Sequence, residues 1–522
     1  MVRHPPSESS MPHRRPQAGP TPVFSLMLSL LFLLAGASGA RAAPFQFFGY
    51  DTASIGVANS NVAYGDSYGV LFTNPALMSR FEPQTSVGLI VYVPRLSIDL
   101  MDRPQNADVS MAYYDTNVSM YQFIPDRPIP TVELKTQRHD NRVNDPVAYL
   151  TTGFTYDFDV PGFRIGALTV IPLVEVLQIS THYFDEREQY YTNTVHYARF
   201  GEWSPIIGGI VGASYSPIQY LSLGLSLQVS VGLVAAMGLY IPEATVQEYG
   251  LMNVSETKAV VKFRPIVGVQ VEPTEWMSLG LNWRNESYVR TDATGHLDLW
   301  NYHENSLDQT VPRYVVQNYD LALDYEPMEL TLALGFQYAG WRVQGGATWS
   351  RWSNYIDDHA QSPQDSAARP PVNPGDPLID GDDYAWRDTF STNIGASYRY
   401  AEWGEGRLGF VYSPSPVPDQ RGRTNFADGH LWCVAAGNRF TLPVFDKRLT
   451  IDLGFQFWRL VQRTVYKDPL QIRDEFPDGS LTILQNTPVT AAEGLQTNNA
   501  GFPGYTQKGY LIVTSASVGL EF

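Results

Sequence analysis

The stretch of residues 508–522, KGYLIVTSASVGLEF, decides the fold class of this chain. Tyr510 and every second residue after it form a mostly apolar face, whereas Leu511 and its alternates form a face that becomes small and polar toward Phe522. Alternation with a period of two over this length predicts a β-strand. One apolar and one polar face are typical of a barrel wall with lipid outside and water inside.

The same alternation recurs through the chain. Leu279, Leu281 and Trp283 interleave with serine, glycine and asparagine, and the stretches 330–338 and 449–457 repeat the pattern. Before the C-terminal strand we count about 14 candidate strands, as in a large barrel. They lie near residues 85–99, 147–158, 163–178, 204–216, 219–238, 259–272, 275–299, 315–326, 329–339, 341–353, 388–400, 406–414, 430–443 and 447–464.

The total, with the C-terminal strand included, is odd, whereas closed single-chain barrels have an even number of strands. Two interpretations of 315–339 correct this: one long strand, or a loop strand followed by a wall strand. Connections between candidates alternate between short ones, such as 339–340, and long ones, such as 354–387. Short periplasmic turns and long outer loops are typical of transmembrane barrels. The predicted fold is therefore all-β, a transmembrane antiparallel β-barrel of about 14 strands.

The composition agrees with a membrane protein that crosses with strands. Of 522 residues, 17% are charged, 31 are tyrosine and 42 are glycine, and the mean hydropathy is -0.19. Because half of each barrel strand faces water, this moderate value favours a barrel over a bundle of apolar helices. The net charge of -17 argues against a nucleic-acid partner, since a phosphate backbone needs a basic surface.

The N-terminus carries a targeting pattern. An apolar run at 23–35 follows two arginines and precedes an Ala-Arg-Ala site that ends at Ala42. A basic region, a short apolar core and a small-residue site predict a secretory signal peptide over residues 1–42. The run is too short to cross a bilayer comfortably as a helix.

Residues 43–83 differ from the strand region because they are rich in glycine, alanine and asparagine and alternate only weakly. They contain SIGVAN at 54–59 and NPAL at 74–77. Three later motifs follow in order, PTEWMSLGLNWR at 273–284, ATWSRWS at 347–353 and YSPSPVP at 412–418 with two arginines soon after.

Together these motifs resemble the FadL-type family of outer-membrane transporters for long-chain fatty acids and other hydrophobic compounds. The glycine-rich segment with its Asn-Pro-Ala is similar to that family's N-terminal hatch. The stretch 273–284 is similar to its "PT…LSLGLSYR" strand pair, 347–353 to its "TWSRW" strand and 412–418 to its "SPVP…R" outer loop. The resemblance covers most of the chain after residue 42.

The resemblance implies a 14-stranded barrel over residues 84–522, plugged at its periplasmic end by a hatch over residues 43–83. It implies passive, ATP-independent uptake across the outer membrane of a Gram-negative bacterium, without a cofactor. The ligand would be a hydrophobic small molecule, a fatty acid or a hydrocarbon. Further expected partners are outer-membrane lipid, lipopolysaccharide and the barrel assembly machinery, which receives strands that end on an aromatic residue. The protein is expected to be a monomer.

The resemblance also implies roles for particular residues. Asn74, Pro75 and Ala76 match the hatch motif and are expected to shift when ligand binds, although an Asn-Pro pair also initiates a simple turn. Pro172 matches the proline of the family's kinked third strand, beside which ligand leaves sideways. Because proline donates no hydrogen bond to a sheet, it interrupts pairing there. The family usually continues with Phe-Gly, whereas this chain has Leu-Val at 173–174.

A fatty acid carboxylate needs a cation near an apolar slot. By strand parity the inward arginines are Arg284, Arg342, Arg399 and Arg407, and Arg264 and Arg351 have a less certain facing. Most of them are expected to pair with carboxylates such as Asp452. We take Arg284 and Arg351 as candidate ligand-binding residues.

The sequence also bears on functions other than transport. The histidines fall in no nucleophile or metal-ligand spacing, and no Gly-x-Ser-x-Gly occurs, so the sequence predicts neither an enzyme nor a metal site. The single cysteine, Cys433, is interpreted as a small packing residue. An aromatic hydrocarbon channel of the same family, a hydrophilic porin, and an adhesion or structural barrel remain as alternatives.

Overall fold

The computed structural model describes residues 45–104, 141–173 except 159, 195–199, 207–240, 252–299, 313–355, 385–472 except 423, and 495–522 except 496 and 498. The predicted signal peptide over residues 1–42 lies outside this range. The described residues all belong to one compact unit.

Short helices precede the sheet. They are α1 (Phe45–Phe48), α2 (Thr52–Gly56), α3 (Val70–Thr73) and a 3-10 helix at Pro75–Arg80, and a further 3-10 turn lies at Trp352–Asn354. Within the described residues, no helix has both the length and the apolar character needed to cross a membrane.

Nineteen strands follow the helices in the described part of the chain. They are β1 (Gln84–Leu100), β2 (Asn141–Val143), β3 (Val147–Tyr156), β4 (Phe163–Pro172), β5 (His196–Tyr197), β6 (Ile207–Ile218), β7 (Leu221–Tyr240), β8 (Met252–Thr274), β9 (Met277–Arg284), β10 (Ser287–Leu299), β11 (Arg313–Glu326), β12 (Glu329–Tyr338), β13 (Trp341–Ser350), β14 (Thr389–Ala401), β15 (Gly404–Ser413), β16 (Phe426–Ala427), β17 (Leu431–Val444), β18 (Lys447–Tyr466) and β19 (Gly504–Glu521).

The wall is a single antiparallel sheet that closes on itself. The order runs β1, β3, β4, β6, β7, β8, β9, β12, β13, β14, β15, β17, β18, β19, and β19 then pairs with β1. That closing pair is continuous from Gln84↔Glu521 to Leu100↔Tyr505. The short β2 adds only a three-residue pairing to β1. The predicted antiparallel barrel of 14 wall strands is therefore confirmed.

One outer hairpin explains why the sequence predicted an odd number of strands. β10 and β11 pair with each other in a separate two-stranded sheet, so 315–326 is a loop strand and 329–339 a wall strand. The prediction of one continuous strand over 275–299 was wrong, because the chain leaves the wall at Asn285 and Glu286 before β10 begins.

Side chains alternate across the wall as predicted. In β9, Ser278 and Asn282 are buried while Leu279 and Leu281 are exposed on the outside. In β19, Leu511 and Val513 point inward and Val518 outward, as the alternation of the C-terminal stretch predicts. The barrel therefore presents apolar side chains to lipid.

Aromatic side chains mark both edges of the lipid-facing band. Stacked pairs lie near the short turns, among them Trp276–Phe336, Trp341–Tyr398 and Trp403–Phe440. At the other edge Phe457 packs against Trp432 and Tyr510. Two aromatic girdles are typical of barrels at the two membrane interfaces. The end with the long connections is accordingly the outer end.

The chain from residue 45 to residue 83, here called the N-terminal segment, packs against the inward side of the wall. Gln456 of β18 donates hydrogen bonds to the carbonyls of Phe48 (3.0 Å) and Ile55 (2.9 Å). Gln344 of β13 accepts from the Ala63 and Tyr64 amides. Polar wall side chains thus bond backbone groups of the N-terminal segment.

The backbone of the segment approaches the wall most closely at inward glycines. A Cβ added to Gly224 of β7 would lie 2.2 Å from the Ala76 amide nitrogen, and one added to Gly409 of β15 would lie 2.4 Å from the Val57 carbonyl carbon. No side chain fits at those distances, so these glycines permit the segment to lie directly on the sheet.

We expect Gly409→Val to loosen this packing. The added side chain meets the Val57 backbone, and overpacking of this kind costs about 1–3 kcal/mol. Gly406→Val is the matched control, since it lies on the same strand and its Cβ would meet nothing closer than the Tyr400 ring at 3.9 Å. Urea unfolding of the reconstituted protein measures the difference, and limited proteolysis reports release of the segment. Equal stability and equal protease resistance of the two variants would contradict the packing described.

Candidate functional site

A cavity of about 100 Å³ lies inside the barrel, between the N-terminal segment and the wall. Four aromatic side chains line it, Phe47, Phe72, Trp352 and Trp458. The remaining lining is mostly polar and includes Arg284. Ligand pockets commonly combine aromatic walls with a few placed polar groups, so this cavity is the first candidate site.

Arg284 lies at the end of β9 and lines the cavity, as its inward parity predicts. Its guanidinium carbon is 4.2 Å from the centroid of the Phe72 ring, and its Nη2 is 2.8 Å from a Glu329 carboxylate oxygen. A cation over an aromatic face is stabilised by the ring quadrupole. The sequence-predicted arginine therefore contacts both an apolar group of the N-terminal segment and a wall carboxylate.

The wall around Arg284 carries a buried ion-pair cluster. Arg264 pairs with Glu326 (2.9 Å) and Glu329 (3.1 Å), and Lys262 is 3.4 Å from Glu326. Three cations, with Arg284 included, thus share two carboxylates. Arg284 thus lies in a cluster of buried charges, and such a cation favours an anion nearby.

Arg351, the second candidate, is placed differently. It follows β13, its side chain is exposed, and the cavity is lined by its neighbours Ser350 and Trp352 instead. Its backbone amide donates to the Met328 carbonyl. The structure does not bring Arg351 and Arg284 together, and a ligand-binding role for Arg351 stays a prediction.

Outer-loop residues cover one side of the cavity. β5 and β16 pair in parallel, which brings Arg199 against Asp428 in a buried ion pair of 3.0 Å. Arg199 also donates to the Gly429 carbonyl and lies 5.8 Å from the Phe47 ring centroid. A fully paired guanidinium thus fixes two distant loops over the end of the N-terminal segment.

A cluster of aromatic side chains continues outward from the cavity. Tyr355 and Trp386 stack with ring centroids 4.1 Å apart and an interplanar angle of 3°. Trp386 in turn packs on Trp352 at 5.4 Å and on Phe426 at 5.1 Å. Because Trp352 belongs to both groups, this outer aromatic cluster and the cavity are continuous.

The inner face of the barrel is apolar on the side away from the ion-pair cluster. Tyr92 of β1 stacks on Phe48 at 4.9 Å, and Tyr149 and Val170 continue the same buried apolar cluster onto β3 and β4. Pro172, the last residue of β4, is buried and pairs with Tyr149.

At Pro172 the two neighbours of β4 are paired unequally. Pairing to β3 runs through Pro172, whereas the last pair with β6 among the described residues is Val170↔Gly208. The remainder of the predicted strand, 174–178, lies outside the described residues. The proline therefore stands at the end of β4, next to the apolar inner face.

Asn74, Pro75 and Ala76 form the start of the 3-10 helix. Asn74 caps it by accepting from the Ala76 amide (3.2 Å) and donates to the Val62 and Val269 carbonyls (2.8 and 3.3 Å). The motif thus makes the turn that Asn-Pro favours and also bonds the wall. The sequence identified its position, and its part in gating stays a prediction.

A second charged cluster holds the periplasmic side of the segment. Asp66 lies 3.2 to 3.3 Å from Arg342, Arg407 and Arg439, and Asp452 pairs with Arg407 and Arg439 at 3.0 and 2.8 Å. Burial alone raises the pKa of Asp66, but the three arginines outweigh it and hold that pKa well below its usual range. The predicted pairing of Asp452 with lumen arginines is confirmed.

Sequence reasoning missed several of these residues. Asp66, Arg199, Asp428, Tyr355 and Trp386 meet partners far away in sequence, and no spacing rule connects them. The sequence offered one indication: acidic residues are rare between 45 and 83, where Asp66 is one of only three.

Cys433 is buried in the apolar inner face of β17 and packs there as predicted. In the described part of the chain, no group of three or more histidine, cysteine, aspartate or glutamate side chains is arranged to hold a metal ion.

Comparisons with known proteins agree with this architecture. The family model described as "Outer membrane protein transport protein (OMPP1/FadL/TodX)" matches residues 212–488, more than half of the chain. No curated protein matches. Because the matched stretch begins within β6 and ends beyond β18, it includes most of the wall.

Solved structures match along most of the chain at low identity. A Pseudomonas aeruginosa FadL homologue is 15% identical with a TM-score of 0.53, over 93% of this chain and 100% of that one. The P. putida toluene transporter TodX is 13% identical, over 91% and 99% of the two chains, with a TM-score of 0.48. The Ralstonia pickettii toluene transporter TbuX has the same identity and coverage and a TM-score of 0.44.

The family match, the closed 14-strand wall and the lipid-facing alternation point to one conclusion. The chain belongs to the OMPP1/FadL/TodX family of outer-membrane transport proteins and is a β-barrel of the Gram-negative outer membrane.

Proposed function

We propose that this channel takes up long-chain fatty acids and that Arg284 receives the carboxylate. The observation that carries the proposal is the position of Arg284, a buried cation beside Phe72 at the wall of an aromatic cavity. A carboxylate bound there replaces lost hydration with a charge-assisted hydrogen bond, while its hydrocarbon chain contacts the aromatic lining.

Capture would begin at the outer aromatic cluster. Stacked rings at the outer end give an amphipathic surface on which a hydrocarbon chain can leave water. Trp352 connects this cluster to the cavity, so a ligand can advance without exposing its chain to solvent again.

The N-terminal segment acts as the hatch in this proposal. The cavity of about 100 Å³ is too small for a long-chain fatty acid, since ligand sites for molecules of drug size occupy about 300 Å³ or more. Binding must therefore displace part of the segment. Phe72 contacts Arg284, the cation proposed to bind the ligand, and Asn74, Pro75 and Ala76 follow Phe72 closely in the chain. A shift of Phe72 on ligand binding can therefore move these three residues and, with them, the rest of the hatch.

Exit would be sideways at Pro172. The apolar inner face of β3 and β4 leads to this residue, which ends β4 and donates no backbone hydrogen bond to a neighbouring strand. A lateral exit keeps the chain out of the aqueous periplasm, where exposed apolar surface is unfavourable.

Uptake of an aromatic hydrocarbon is the alternative within the same family. The size of the cavity favours it, because an engineered apolar cavity of about 150 Å³ is sufficient for benzene. A neutral ring needs no cation, however, and leaves the buried arginine without a function in recognition.

Uptake by whole cells decides between the two ligands. We expect cells that contain the protein to take up labelled oleate faster than cells without it, with a smaller difference for toluene. The reverse preference would transfer the assignment to hydrocarbons, and uptake of neither would contradict the proposed transport.

Arg284→Gln tests the carboxylate site. The variant keeps most of the side-chain volume and leaves Glu329 paired with Arg264. Since a hydrogen bond to a charged group contributes about 1.5–3 kcal/mol, we expect oleate to bind at least tenfold more weakly while toluene uptake is unchanged. Arg448→Gln, on the exposed periplasmic rim, is the control. An unchanged oleate affinity of the Arg284 variant would remove this residue from the site.

Asp66→Asn tests the hatch. Loss of the carboxylate charge releases the segment from three wall arginines. We expect the wild-type protein to conduct few ions in planar bilayers and the variant to conduct more. Asp452→Asn removes a carboxylate from two of the same arginines but leaves the link to the segment, and it is expected to conduct less than the Asp66 variant. Equal conductance of both would mean that this contact does not hold the hatch closed.

Pro172→Ala tests the lateral exit. Alanine restores a backbone donor at the end of β4, which favours continued pairing and a narrower opening. We expect oleate uptake to fall several-fold with no change in oleate binding. Pro265→Ala, within β8 on another part of the wall, is expected to leave uptake unchanged; a similar loss in both variants would point to a general effect of strand prolines.

A further inference from the structure

Four cations gather on the lipid-facing side of the wall where β18, β19 and β1 meet. Arg95 of β1 and Arg459 of β18 both pair with Tyr510 of β19 in register. Their side chains are exposed and alternate with buried inward neighbours. Because adjacent strands are about 4.8 Å apart, the two arginines stand about 10 Å from each other across Tyr510.

The other two cations lie slightly farther out. Lys508 of β19 and Arg142 of β2 are both half exposed, and both pair with Asp99, at 2.9 and 2.5 Å. Asp99 is the one acidic side chain that is ion-paired to this group in the described part of the chain. Counted over the described residues, the four cations and Asp99, here called the outer basic patch, carry a net positive charge on a protein whose net charge is -17.

Arg459 is the member that the fold itself does not explain. It forms no ion pair or hydrogen bond with any residue that the structure describes, while Phe457 and Leu453 below it face lipid. An arginine on the lipid face is unfavourable at the membrane centre and tolerated near an interface. An unpaired, exposed guanidinium in this position indicates a partner outside the chain.

The height of the patch identifies that partner's environment. Arg459 follows Leu449, near the periplasmic rim, by ten residues, which is about 33 Å along a strand and about 25 Å along the membrane normal at the usual tilt. This equals the height of the apolar band. Trp432, Phe457 and Tyr510 of the outer girdle surround the arginine in register.

We infer that the outer basic patch is a binding site for the phosphorylated glycolipid of the outer leaflet, the lipid A part of lipopolysaccharide. Guanidinium groups bind phosphate oxygens in a bidentate manner, and a basic cluster at an interface attracts anionic head groups. Arg95 and Arg459 would bind one phosphorylated sugar between them, with its acyl chains along Leu453, Phe457 and the neighbouring apolar side chains.

Native mass spectrometry of the detergent-purified protein, titrated with diphosphoryl lipid A, tests the site. We expect the wild type to retain the lipid, and Arg95→Gln/Arg459→Gln to bind it at least tenfold more weakly. The matched control, Lys447→Gln/Arg448→Gln, removes two cations from the opposite rim of the same β18 and is expected to bind as the wild type does.

Titrations with other phosphate compounds show which source of phosphate the site binds. Monophosphoryl lipid A is expected to bind more weakly than the diphosphoryl form, and phosphatidylglycerol and millimolar inorganic phosphate are expected not to displace it. Equal retention by both double variants, or equal binding of phosphatidylglycerol, overturns the inference. Because Arg459 forms no ion pair or hydrogen bond with the described residues, the single Arg459→Gln variant gives the same test if the double variant does not fold.

Failure here leaves the proposed transport untouched. The patch is on the outside of the wall, and the proposed ligand path is on the inside. Oleate uptake by Arg459→Gln is expected to match that of the wild type. The two measurements therefore distinguish a loss of lipid A binding from a loss of transport.

Discussion

The structure depends on the requirement that no backbone polar group faces lipid unpaired. An unsatisfied amide or carbonyl in hydrocarbon costs several kcal/mol, so a strand-built wall must have no open edge. The continuous pairing of β1 with β19 meets this requirement over the whole height of the wall. The N-terminal segment lies inside the wall that this pairing closes.

The interior of the closed wall has two chemically different sides. On one side, Arg264, Arg284 and Glu329 place buried charges near the outer end. On the other, Tyr92, Tyr149 and Val170 form part of a buried apolar cluster. A fatty acid has the same division between head and tail, which is why the arrangement supports an amphipathic ligand more than a wholly apolar one.

The wall was largely predictable because its signal is local. For Leu279, Leu281 and Trp283, alternation alone predicts which side of the wall each side chain occupies. The turn at Ala339–Gly340 is short enough to identify from the sequence. The split of 275–299 was missed because Asn285 and Glu286 interrupt the wall without a proline or glycine to mark the break. The interior could not be predicted in the same way.

Asp66 meets arginines more than 270 residues later, and Arg199 meets Asp428 across two loops. Such contacts depend on how the cylinder brings distant strands to one height, which no period in the sequence encodes. Resemblance located Asn74, Pro75 and Ala76, but only the folded chain reveals that they rest on the glycines of the wall.

Those glycines have a consequence for how the molecule is made. The enclosed segment touches the sheet through backbone at Gly224 and Gly409. It also immediately precedes β1, one of the two strands of the final seam. During assembly the segment and β1 are therefore placed together, because they are one continuous piece of chain.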